Sequence, residues 1–237
     1  MPTTSWPTST RRLHRHKTWP AVVWLVLSAF LALLAFAGAS QDSEAGARDI
    51  LYDPDLAIFG GIGYALMIGA SFLIGLAYPR TRDALGFRRF RLRWVWIALG
   101  VVVLTTVVAV AVEPFLHGGE DQGLAADRWE PEHAGVFAVN VAVLVLLGPF
   151  AEELFFRGLG VRALMLYGGL VSILVTGVMF GLVHGILGAL PPLALFGIGL
   201  AWVRLRSASL WPAFIGHAAY NGLGVLVLVI SWAVETS

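Results

Sequence analysis

Long apolar runs alternate with short polar and charged stretches along this chain. Runs over residues 19–39, 56–78 and 94–116 each approach the roughly 20 apolar residues a helix needs to cross a bilayer. A fourth run starts at His133 or Ala134 and reaches Gly148 and Pro149, where the pattern predicts a break. Helical patterning then resumes to about Leu166, and Gly168 with Gly169 predicts a turn. Runs over 171–190, 193–203 and 210–232 follow. The pattern predicts an all-α fold: a polytopic transmembrane helical bundle of about seven spans. It divides into a basic tail (1–18), three N-terminal transmembrane helices with their loops (19–133), a helical core (134–232) and a short tail (233–237).

The charges sort by sign. Basic clusters at 11–17, 80–93, 157–162 and 204–206 alternate with acidic loops at 41–55 and 117–133. Cytoplasmic loops carry the excess of Lys and Arg, so the N-terminus is expected in the cytoplasm. The run over 19–39 also ends in FAGAS, small residues of the kind found at signal-peptide cleavage sites. It exceeds the usual h-region of about 7–15 residues, which favours a retained helix. Segment 80–93, with six arginines, is expected to lie on anionic lipid headgroups. His117 and His133, at the edges of an acidic loop, read as solvated.

Composition narrows the class further. Only 13% of residues are charged and 58% are hydrophobic, with a mean hydropathy of +0.78; soluble domains carry about 25% charged residues. A net charge of +1, with most of its basic residues in the clusters of one side, gives no nucleic-acid partner. The chain has no cysteine, which removes disulfides, thiolate ligands and a cysteine nucleophile. The glycines of the second span (Gly60, Gly61, Gly63, Gly69, Gly75) read as helix packing positions.

Candidate chemistry centres on GPFAEELFFRGLGVR, residues 148–162. It sets Glu152, Glu153 and Arg157 in an apolar run, and ionisable groups at membrane depth are functional-site hypotheses by default. Glu153 and Arg157 are four apart and share a helix face, predicting a buried pair with a structural or orienting role. Glu152, about 100° round the helix, is left for chemistry. Pro149 suits a first helical position, whose dipole would stabilise nearby carboxylates. Two later runs answer this stretch: FGLVH, with Phe180 and His184, and HAAYN, with His217 and Asn221 four apart on one face. Gly177, Gly181 and Gly185 repeat every four residues beside His184, a strip for close packing. At about 1.5 Å of rise per residue, Glu152, His184 and His217 come to nearly the same depth. Asn140 lies roughly 18 Å above Glu152 and reads as an interhelical hydrogen bond.

These residues carry a family resemblance. EELFFR (Glu152 to Arg157) resembles the E-E-x-x-x-R motif of the CPBP intramembrane proteases, the CAAX prenyl protease 2 and bacteriocin-processing family. FGLVH resembles its F-x-x-x-H motif and HAAYN its H-x-x-x-[N/D/B] motif, in the family's order and over about residues 134–232. The resemblance implies an intramembrane endopeptidase with Glu152, His184, His217 and Asn221 as catalytic residues. Glu152 would activate a water that His184 helps to hold. His217 and Asn221 would donate to the oxyanion, and Glu153, Arg157 and Phe180 would support them. No cofactor is implied. The implied partners are the lipid bilayer and a membrane-associated peptide or protein substrate, prenylated CAAX proteins being the family's best-known targets. A bacterial plasma membrane is the implied location, and no oligomeric state follows.

Two other readings stay open at this level. Glu152, His184 and His217 could hold zinc with one position open for water, making a metalloprotease of the same residues, although HExxH is absent. Alternatively the chain is a non-catalytic membrane scaffold, immunity protein or transporter component. A transporter would favour internal repeats with broken helices in matching halves, where this chain has one Gly-Pro break. A catalytic chain is expected to hold a cavity between the fourth, fifth and seventh spans.

Overall fold

The computed structural model describes residues 17–45, 51–117 and 129–235. The basic tail up to residue 16, and the expectations for residues 46–50, 118–128 and 236–237, lie outside the described residues. Among the described residues the fold is all-helical, with no strands. The elements are α1 (Trp19–Ala45), α2 (Leu56–Gly75), the short α3 (Thr81–Leu85), α4 (Arg93–Leu116), α5 (Pro131–Tyr167), α6 (Gly169–Leu182), α7 (Leu190–Ser207) and α8 (Trp211–Glu235). Five of them, α1, α2, α4, α5 and α8, are long and apolar enough to cross a membrane, so the chain is a multi-pass membrane protein.

The fold departs from the expected spans in three ways. First, α5 runs unbroken for 37 residues, with no interruption at Gly148-Pro149. Pro149 lacks an N–H and its ring clashes with the preceding turn. Widening that turn to the π register, in which each N–H reaches five residues back, accommodates it over Val143–Leu147. The helix therefore does not restart there, and no N-terminal dipole acts on the carboxylates. Second, α6 ends at Leu182, short of residue 190, and residues 183–189 form turns. Gly185 lies in these turns at φ 72°, where an added Cβ would come within 2.7 Å of the Ala35 carbonyl of α1. It is thus absent from the packing strip that Gly177 and Gly181 do form. Third, α3 adds one short turn of helix within the basic segment.

α1, α2, α3, α6, α7 and α8 all touch α5, and α4 packs on α7 and α8. α6 and α7 form an antiparallel hairpin in close contact: a Cβ on Gly197 would lie 2.6 Å from the Gly177 carbonyl oxygen. α4 and α8 flank α7, and α2 packs along α5. From α1, the buried Trp24 donates its indole N–H to the Phe155 carbonyl of α5 at 3.0 Å. Gly160 leaves room for that ring. The glycines of α2 differ from expectation. Only Gly75 packs closely on another segment, against Thr81 and Leu85, while added Cβ atoms on Gly61, Gly63 and Gly69 would meet nothing. Those three face away from the rest of the bundle. Asn140 is buried, but it donates to the Leu51 and Asp53 carbonyls (3.0 and 2.8 Å), tying the segment before α2 to α5 and not two helices to each other.

Candidate active site

A second π stretch, Glu153–Gly160, follows Pro149 in α5, and every one of its residues is buried. Buried polar side chains are costly unless they are paired. Arg157 places a terminal nitrogen 2.9 Å from Glu153 Oε1, both side chains being 0% exposed. Its other terminal nitrogen donates to the Gly197 carbonyl of α7 at 3.4 Å. The guanidinium lies 4.2 Å from the centre of the Phe180 ring, a cation–π contact that strengthens when desolvated. The expected i,i+4 pair is thus built into the interface of α5, α6 and α7.

His217 of α8 enters from the other side. Its Nδ1 is 3.0 Å from Glu153 Oε1 and its Nε2 is 3.7 Å from Glu152 Oε2. A carboxylate paired with an arginine only accepts, so Nδ1 carries the hydrogen and donates it to Glu153. The two neighbouring glutamates were expected to face apart. They instead flank one imidazole, because its two nitrogens sit on opposite edges of a ring that slots between them. Exposure separates the glutamates: Glu153 has none and Glu152 keeps 16% of its side chain open. Phe180 and Phe196 hold the imidazole edge-on at 5.4 and 5.2 Å between ring centres.

His184 stands on the turn after α6, partly exposed. Its Nδ1 lies 2.7 Å from the Phe180 carbonyl, which accepts and cannot donate, so Nδ1–H is the donor. In the neutral ring Nε2 is then a free acceptor. The Glu152 charge acts on this ring, and Phe180 packs against it at 4.8 Å with the two rings tilted. Phe180 thereby touches Arg157, His184 and His217 at once.

Asn221, one turn beyond His217, donates from Nδ2 to the Leu144 carbonyl at 2.8 Å. Counting five residues on from Leu144 in the π register reaches Pro149, which has no N–H to give. Asn221 supplies the missing donor. One of its two amide hydrogens is committed to α5, leaving the second for other work.

The structure therefore brings Glu152, Glu153, Arg157, Phe180, His184 and His217 into one cluster, with Asn221 beside it on the wall of α5. Aromatic rings of α6 and α7, Phe180 and Phe196, pack against the His217 imidazole of the cluster. Its partly open members are Glu152, His184 and Asn221. Such a group can hold a water against a carboxylate and an imidazole acceptor, with N–H donors nearby. Among the described residues no three of His, Cys, Asp and Glu are placed to hold a metal, and His217 turns its two ring nitrogens to two different carboxylates.

Sequence reasoning missed Tyr64 of α2. Its hydroxyl interacts with the Glu152 carboxylate, and the phenol reaches it across Gly148, where an added Cβ would come within 2.9 Å of the ring. The available signal was a lone phenol inside an apolar span, obscured by the glycines around it.

Residues 134–223, which hold α6, α7, most of α5 and the start of α8, match a family model described as type II CAAX prenyl endopeptidase Rce1-like. No curated protein and no solved structure matches the chain.

Proposed function

Residues 134–223 belong to the Rce1-like family, and from that premise we propose that this chain is an intramembrane endopeptidase that uses Glu152 to activate water. The family is one of proteases. The observation that carries the assignment to Glu152 is the asymmetry between the adjacent glutamates: Glu153 is enclosed by Arg157 and His217, while Glu152 borders His217 and stays partly open.

In this mechanism Glu152 takes a proton from a water whose other hydrogen is held by Nε2 of His184. The oxygen attacks the scissile carbonyl carbon, and the carbonyl electrons move to its oxygen. His217, its Nδ1–H anchored on Glu153, donates from Nε2 as an imidazolium, and Asn221 offers its second amide hydrogen to the same oxyanion. Donors of this kind are worth about 2.7–4 kcal/mol each in a water-excluded site. The tetrahedral intermediate then collapses. The C–N bond breaks, the nitrogen takes the proton from Glu152, and a carboxylic acid and an amine leave, the acid ionising in water. Glu153 and Arg157 do no bond chemistry and act as positioning residues.

The substrate class proposed is a membrane-associated protein with a prenylated C-terminal CAAX sequence. Purified chain in liposomes is expected to cleave a farnesylated CAAX reporter peptide faster than its unprenylated twin; equal rates would remove prenylation from the proposal.

Tyr64 is proposed to hold the Glu152 carboxylate in register. A hydrogen bond to a charged group is worth about 1.5–3 kcal/mol, so Tyr64→Phe is expected to slow cleavage by about tenfold or more, mainly in kcat. An unchanged kcat would take Tyr64 out of the site.

We further propose that α6 and α7 also cross, giving seven spans with a cytoplasmic N-terminus in a bacterial plasma membrane. At about 1.5 Å per residue α6 alone is too short, and the turns at 183–189 would complete its path. The absence of cysteine makes single-cysteine labelling in intact cells a clean test. Cysteines placed at residues 80–93 and 204–206 should resist an impermeant reagent; ready labelling of either would invert or break the topology.

A further inference from the structure

A second polar site lies at a different end of α5. There α3 and the segment after it, the last turns of α5 beyond its π stretch and the last turn of α7 line a half-open cavity of about 220 Å³. Arg88, Arg162 and Arg204 line it together with Asp83. Arg204 is the unusual member, at 7% exposure. Its guanidinium lies over Gly86, where φ is 93° and an added Cβ would come within 2.5 Å of Nε. One terminal nitrogen donates to the Ala84 carbonyl at 3.2 Å. Among the described residues its Nε has no hydrogen-bond partner and no carboxylate is within ion-pair distance. The neighbouring charges that act on it, Arg88 and Arg162, are both positive.

The other two arginines are held towards the same space. Arg162 stacks on Tyr78 with its guanidinium carbon 4.4 Å from the ring centre. Arg88 sits 3.8 Å from Asp83, both side chains being about half exposed, and a pair so open is weak. Three guanidiniums against one carboxylate leave two positive charges in excess. Favourable alignment with the dipole at the C-terminus of α7 accounts for a basic residue in its last turn. It does not account for burying one beside two like charges with a donor unused. Burying a cation without a partner is strongly unfavourable, and the arrangement is completed by an anion.

We propose that this cavity is a binding site for a phosphate group. Guanidinium forks match phosphate oxygens in bidentate pairs, and the excess positive charge suits an anionic phosphate. The surrounding segment 80–93 is the one whose arginines are expected to lie on anionic headgroups, and basic pockets between membrane helices bind such headgroups. A phospholipid headgroup and a soluble phosphate share this chemistry. The site stands independently of the protease reading, because none of its residues belongs to the glutamate cluster.

The test uses the whole chain in an uncharged detergent, with thermal unfolding followed by tryptophan fluorescence. Three probes are titrated: phosphatidylglycerol, diacylglycerol with the same acyl chains, and inorganic phosphate. A ligand that binds the folded state alone raises the melting temperature with its concentration. Phosphatidylglycerol is expected to stabilise the wild type where diacylglycerol does not. Stabilisation by inorganic phosphate as well would assign the site to soluble phosphate also. Arg204→Gln and, at the partly exposed edge, Arg162→Gln should each require about tenfold more ligand for the same shift, the effect of losing a charge-assisted hydrogen bond. Should Arg204→Gln fail to fold, Arg162→Gln alone decides. Failure of both phosphate probes to stabilise the wild type, or a variant that responds at wild-type concentrations, would overturn the proposal.

Discussion

Glu152→Gln is expected to abolish cleavage of a lipidated reporter while leaving the protein folded and at wild-type abundance in the membrane. The substitution keeps the shape and removes the charge. Glu152 is partly open and its contact with His217 is long, at 3.7 Å, so the melting temperature should move by only a few degrees. Loss of a general base costs about 10²–10⁴-fold in rate. Rate and abundance, measured on the same liposome preparation, separate this outcome from misfolding. A glutamine variant retaining more than about a tenth of the wild-type rate would be incompatible with a general base at this position.

Glu153→Ala should act in the opposite manner, through stability. It would leave Arg157 fully buried, with the Gly197 carbonyl at 3.4 Å and the Phe180 and Phe156 rings among its remaining contacts. It would also free Nδ1 of His217. Breaking a buried ion pair from one side costs about 3–5 kcal/mol, a large part of the stability of most domains. The expected result is low abundance and a melting temperature well below wild type. Replacing both partners together, Glu153→Met with Arg157→Met, should recover much of the stability, since a buried pair exchanged for apolar side chains is often close to neutral. Activity should stay low, because His217 has lost its anchor. A stable and fully active double variant would show that Glu153 does not position His217.

Much of this was readable from the sequence, because membrane helices announce themselves by length and apolarity. The residues at Glu152, Glu153, Arg157, Phe180, His184, His217 and Asn221 stood out as polar or patterned positions in apolar runs, and helical rise brought their depths together. What the sequence did not convey was register. Pro149 looked like a helix break, but the π turn before it absorbs the ring and keeps α5 whole. That same turn exposes the Leu144 carbonyl, and so decides how half of the Asn221 amide is used. The split between a helical Gly177 and Gly181 and a turn at Gly185 was hidden by their equal spacing. Its cause is Ala35 of α1, more than a hundred residues away in the chain. Tyr64 was overlooked for a similar reason: its relation to Glu152 is made by the packing of α2 on α5 across Gly148, a contact no local pattern encodes. The buried Arg204 likewise read as one more member of a basic cluster.

The most direct measurement is cleavage of a lipidated reporter peptide in liposomes by wild type and Glu152→Gln, each with and without a strong zinc chelator. The account predicts that the wild type cleaves at the same rate with and without chelator and that the variant does not cleave in either condition. Cleavage by Glu152→Gln at the wild-type rate would contradict it, as would wild-type activity that is lost to the chelator and restored by added zinc.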